Sequence, residues 1–129
     1  MSKFLRFWFP VLLYVTLIFT LSSIANLKLP DVPGLSDKLA HAGEYGVLGF
    51  LLVRALRGTN VMATSLSAAL VAVLFGLVIG LADELYQAHV PGRVSDPTDY
   101  AVDALGLVIS AALFLALRVT GRRGRRARA

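Results

Sequence analysis

The chain has 129 residues, 57% of them hydrophobic, with a net charge of +5. Soluble domains average roughly 45 to 50% apolar residues, so this composition argues against an ordinary soluble fold, and the absence of cysteine excludes disulfides, thiolate metal sites and cysteine nucleophiles. The basic balance does not point to nucleic acid, because six of the thirteen Lys and Arg residues are Arg118, Arg122, Arg123, Arg125, Arg126 and Arg128, a membrane-proximal tail behind an apolar run.

Segment one, Phe7 to about Leu27, carries no charge. A bilayer core is crossed by about 20 apolar helical residues, so it predicts a span, and it is too long and aromatic for a cleaved signal peptide. Pro10 is expected in its first turn, where a missing N–H costs little. Lys28 to Ser36 holds two prolines and a glycine and reads as a loop. Segment two, about 37–56, is less typical because Lys38, His41 and Glu44 fall in its first third. A tight turn at Arg57 to Asn60 leads into the uncharged segment three, 61–82. Asp83 to Thr98 is polar and interrupted by Pro91, Gly92 and Pro97, and segment four covers about 99–117, followed by the basic tail 118–129. The expectation is an all-α fold, a four-helix transmembrane bundle forming a single domain over residues 1–129.

Charge predicts orientation. With both termini cytoplasmic, Lys3, Arg6, Arg54, Arg57 and the six C-terminal arginines share one side with no acid, as the positive-inside rule demands. All eight acids and both histidines then fall on the other side, with only Lys28, Lys38 and Arg93 as bases. That implies a multi-pass membrane protein whose acidic face lies away from the cytoplasm.

The polar groups follow helical periodicity. Asp37, His41, Glu44 and Tyr45 span an arc of about 100° on segment two. Ala72, Gly76 and Gly80 lie in line with Asp83 and Gln87, and Gly76-x-x-x-Gly80 allows close helix approach in lipid. Asp99, Asp103, Gly106 and Ser110 make a third stripe, so segments two, three and four aim polar groups at one volume while segment one reads as scaffold. An acid at the bilayer centre costs about 2.5 to 3.5 kcal/mol and less toward the interface. Glu44 and Asp103 are the deepest, and each calls for a partner or a hydrated pocket. Arg93, alone among acids in its loop, is suited to a carboxylate or to the phosphate or carboxylate of a ligand. The bland readings are that Asp37, Asp96 and Asp99 cap helix starts, Lys38 snorkels to headgroups, His41 and Tyr45 pair at the interface, and His89 decorates a loop. The adjacent Asp83 and Glu84, with Gln87, are harder to explain without a role.

Asp37-Lys38-x-x-His41-x-x-x-Tyr45-x-x-Leu48-Gly49, then Asp83-Glu84-x-x-Gln87, then Gly92-Arg93-x5-Asp99-x3-Asp103-x-x-Gly106 resembles the VanZ-like membrane protein family over nearly the whole chain. The family is named for a member linked to low-level teicoplanin resistance, so the resemblance implies a multi-pass cell-envelope protein of a bacterial cytoplasmic membrane with a role in antibiotic tolerance. Many members carry Asn in place of Asp103, which implies a hydrogen-bonding role there.

Three functions follow. The first is an envelope factor that alters glycopeptide access or surface lipid composition without catalysis. The second is a membrane-embedded hydrolase or transferase acting on a phospholipid or polyprenyl-phosphate, with His41, Glu44, Asp83 and Glu84 as acid/base candidates and Asp37, Lys38, Tyr45, Gln87, Arg93, Asp99 and Asp103 as ligand-binding candidates. Its acids are oxygen donors of the kind Mg²⁺ or Ca²⁺ prefers, although no metal motif of fixed spacing is present. The third is an ion- or proton-coupled transporter, which ranks last because the polar groups stop near one face. Expected partners are membrane lipids and a lipid-linked or phosphate-bearing envelope ligand, with no nucleic acid.

Overall fold

The structure, a computed structural model, describes residues 2–24, 37–93 and 96–126, and of residue 37 and residues 119–126 the backbone alone. The loop expected at 28–36, with Lys28 and Asp31, lies outside the described residues, as do the Asp37 side chain and the tail guanidiniums beyond Arg118. Among the described residues there are four α-helices and no strand: α1 (Lys3–Ser22), α2 (Asp37–Gly58), α3 (Ser65–Gln87) and α4 (Pro97–Arg126). All four are long and apolar enough to cross a bilayer.

The helix ends follow local chemistry rather than the edges of the apolar runs. Ser2 accepts from the Leu5 N–H at 3.3 Å and starts α1 at Lys3. Pro10 therefore stands inside the helix, about two turns in, and not in its first turn. A proline there removes one backbone hydrogen bond, a loss that transmembrane helices accommodate. Thr64 and Ser67 form a capping box that starts α3 at Ser65, leaving Val61 and Met62 in the turn. Nothing breaks α3 at Asp83 and Glu84, so the helix carries both acids and Gln87 in its last turns. The Arg57 guanidinium closes the α2–α3 turn by donating to the carbonyls of Met62 at 2.6 Å and Ala63 at 3.0 Å. Asn60 takes the positive φ of 58° that the turn requires, which Asn tolerates better than most residues.

Packing centres on α2 against α4, with α3 against both. Gly106 makes the α2–α4 approach possible, since a Cβ there would stand 2.3 Å from the Ala42 carbonyl oxygen and 3.0 Å from the Gly46 nitrogen. Gly76 makes room for Leu107, and Gly80 faces the rings of Tyr45 and Tyr100. The helix α1 lies outside this trio, touching α2 and α3 but not α4. Helices successive in the chain run antiparallel, so α2 runs parallel to α4 and α1 parallel to α3. At one end Phe7 of α1 meets Arg54, 4.8 Å from its ring, and Gly58 of α2; at the other, Phe19 of α1 packs edge-on against Tyr86 of α3. Toward the basic end the buried layer is apolar, built from residues such as Val11, Leu52, Leu56, Ala69 and Phe114. The buried acids, His41 and Gln87 gather at the other end.

Candidate functional site

The antiparallel order brings the C-terminal ends of α1 and α3 beside the N-terminal ends of α2 and α4. The stripes read from the sequence meet there and form three connected groups.

The outermost group fastens α2 to α4. The Lys38 ammonium contacts Asp99 at 3.0 Å, Asp96 at 3.5 Å and the hydroxyl of Thr98. Asp96 precedes the helix and accepts from the Thr98 N–H at 2.8 Å, with Pro97 as the first helical residue. That hydrogen bond, more than the neighbouring Lys38, holds the Asp96 carboxyl below its ordinary pKa. Lys38 is thereby committed to acids of the protein. His89 is exposed and bonds to the Leu85 carbonyl of its own helix turn.

The second group is buried. His41 Nδ1 lies 3.2 Å from Asp103 Oδ1, and its Nε2 is 4.0 Å from Asp99. Asp103 is 1% exposed and Tyr45 0%, with Asp83 and Glu84 buried close enough to act electrostatically on both. Gln87 donates to Asp83 Oδ2 at 2.9 Å and to Ser22 Oγ at 3.1 Å. The Tyr45 hydroxyl, Asp83 Oδ1 and Asp103 Oδ2 are buried without a hydrogen-bond partner among the described residues. An unmet buried polar atom costs about 1 to 3 kcal/mol, so several in one cluster call for a partner or a role. Among the described residues, however, no three His, Asp or Glu side chains converge closely enough to hold a metal ion.

The third group lines a crevice of about 480 Å³ between α1 and α2. Its polar lining is His41, Glu44, Gln87, Arg93, Ser22 and Tyr14, and Leu17, Leu21, Leu39 and Val47 supply apolar walls. Arg93 does not form an ion pair with the acids among the described residues. It donates through Nη2 to the Leu21 carbonyl at 2.9 Å, at the end of α1 where the helix dipole favours a cation. Its Nε is buried without a partner among the described residues. His41 belongs to both inner groups, because it holds Asp103 and also faces the crevice.

Of the residues singled out in the sequence, His41, Tyr45, Asp83, Glu84, Gln87 and Asp103 come together in the buried cluster. Glu44 and Arg93 join the crevice, and Lys38 and Asp99 form the outer tie. The helix α1, expected to be scaffold, supplies Tyr14, Ser22 and the Leu21 carbonyl. Neutral residues in an apolar run carry no periodic signal of a site, and only the placement of α1 against α3 and Arg93 reveals them.

Four apolar helices with a buried polar end define a polytopic membrane protein. The profile of the VanZ/LLP1 family matches residues 7–118, and the chain belongs to that family. No curated protein and no solved structure matches it.

Proposed function

We propose that this is a cell-envelope protein of the bacterial cytoplasmic membrane that takes the phosphate-bearing head of a membrane amphiphile into the α1–α2 crevice, and through it alters envelope lipids and tolerance to glycopeptides such as teicoplanin. The observation that carries this reading is the composition of the crevice. It pairs a guanidinium, whose Nε has no partner among the described residues, and a histidine with leucine and valine walls, in a helix pair lying at the side of the bundle. Arg suits phosphate because its planar fork donates several hydrogen bonds at once. An apolar wall beside it accommodates the acyl or prenyl chain of the same molecule. Membership of the VanZ/LLP1 family supports the envelope role.

The test pairs binding with phenotype. Purified protein is expected to retain phosphate-headed lipids through delipidation, and Arg93→Gln to weaken that retention by about tenfold, the loss of one charge-assisted contact. Expression in a susceptible bacterium is expected to raise teicoplanin tolerance, and Arg93→Gln to abolish the increase. Unchanged retention in the variant would remove the ligand assignment, and unchanged tolerance on expression of the native chain would remove the resistance role.

His41 favours a second reading. A neutral ring that donates Nδ1–H to Asp103 keeps a basic Nε2, the arrangement by which a carboxylate orients a general base. Such a base could take a proton from water as its oxygen bonds to phosphorus and return it to the departing alkoxide. Release of inorganic phosphate or of a headgroup from a lipid phosphate, lost in His41→Gln, would establish catalysis.

A further inference from the structure

The crevice holds a carboxyl group and a guanidinium that do not pair with each other. Glu44 and Arg93 line the same cavity, and Glu44 lies within electrostatic range of Arg93. Yet the ion pairs among the described residues involve Lys38 and His41 only, and no hydrogen bond is made by the Glu44 carboxylate to any described residue. Arg93 is tethered instead to the Leu21 carbonyl, with its Nε left over. Lys38, the other described cation at this end, is bound to Asp96 and Asp99. Glu44 thus faces the cavity as a half-buried carboxyl group with no cation paired to it among the described residues.

A purely anionic ligand would satisfy Arg93 and bring its charge against Glu44. A purely cationic one would do the reverse. A head that carries both signs satisfies both residues, because opposite charges attract strongly in a partly dry site and charge-assisted hydrogen bonds are the stronger kind.

We infer that the crevice selects a zwitterionic amino-phosphate head, that of phosphatidylethanolamine, with Arg93 on the phosphate and Glu44 on the ammonium. This rests on the reading of the crevice as a headgroup site. A primary ammonium suits Glu44 because it brings N–H donors as well as charge. Leu17 and Leu21 on α1, with Leu39 and Val47 on α2, give the chains of a lipid an apolar flank, which a free aminoalkyl phosphate would not use.

The experiment is lipid binding to the purified, delipidated full chain by native mass spectrometry, with four probes: phosphatidylethanolamine, its N-acetylated form, phosphatidylglycerol and soluble glycerophosphoethanolamine. The native chain is expected to prefer phosphatidylethanolamine over phosphatidylglycerol, and over the N-acetylated lipid, by about tenfold. The soluble head is expected not to compete at equal concentration. Glu44→Gln should bring the preference close to parity, since phosphatidylethanolamine loses the partner of its ammonium and phosphatidylglycerol loses a repelling charge, and Glu44→Asp should restore part of it. The N-acetylated probe removes the ammonium from the ligand, so the result stands even if a Glu44 variant fails to fold.

Equal binding of the native and N-acetylated lipids, or a preference that survives in folded Glu44→Gln, would overturn the inference while the phosphate reading stood. Competition by the soluble head at equal concentration would overturn the lipid as its source. Lipid binding unaffected by Arg93→Gln would remove the headgroup reading beneath it.

Discussion

Asp103 Oδ1 meets His41 Nδ1 at 3.2 Å in a layer where Asp103 is 1% exposed. Each side chain supplies a polar partner that lipid could not. Deleting the carboxyl leaves the imidazole short of a buried partner, so Asp103→Ala is expected to destabilise the bundle by about 1 to 3 kcal/mol. Asp103→Asn keeps an acceptor oxygen at the same reach and removes a negative charge from beside Asp83 and Glu84. It is therefore expected to stay within about 1 kcal/mol of the native chain. Thermal unfolding in detergent checks both, and an Asn variant as weak as the Ala variant would show that charge rather than hydrogen bonding matters. At this scale much of the site was legible. Three- and four-residue spacing aligned His41, Glu44 and Tyr45, and again Asp99 and Asp103, because helical periodicity fixes which side chains share a face. The partners across helices were not legible. Nothing in the spacing says that Lys38 reaches Asp99, or that Arg93 turns to a carbonyl of α1 instead of an acid.

At the scale of elements, the α2–α4 contact depends on having no side chain at Gly106. A Cβ there would meet backbone, with Ala42 oxygen at 2.3 Å and Gly46 nitrogen at 3.0 Å, and backbone cannot swing aside as a rotamer can. Gly106→Ala is expected to force α2 and α4 apart and cost about 1 to 3 kcal/mol. On the facing helix, a Cβ at Gly46 would find only the Gly106 oxygen at 3.7 Å, an ordinary contact, so Gly46→Ala should be nearly neutral. Comparing the unfolding midpoints of the two variants tests the asymmetry; equal midpoints would count against close approach at Gly106. The helix termini show a related limit of sequence reading. An apolar run marks what the bilayer can cover, whereas Ser2, Thr64 and the backbone donors they satisfy mark where a helix begins. That is why α3 starts after Val61 and Met62 and continues through Asp83 and Glu84.

Across the whole molecule, the acids and both histidines that are described stand at one end of the bundle, opposite Lys3, Arg6, Arg54 and Arg57. The charge bias predicts that the basic end faces the cytoplasm. Because the chain has no native cysteine, single replacements report this cleanly. His89→Cys, exposed at the acidic end, is expected to react with a membrane-impermeant maleimide in intact cells, and Ser2→Cys, exposed at the basic end, only after permeabilisation. The opposite pattern would invert the proposed orientation and place the crevice on the inner leaflet. The sequence by itself determined the membrane class, the four helices and the three polar stripes, because hydropathy and helical periodicity are local properties of a chain in lipid. Only the tertiary structure decided that Lys38 is tied to α4, that α1 joins the site through Tyr14, Ser22 and Leu21, and that Glu44 and Arg93 share a cavity without pairing. Those relations depend on which helix lies beside which and at what height, and in a bundle that is set by packing between helices around small residues such as Gly106 and Gly76, a pairing that the sequence of one helix alone does not specify.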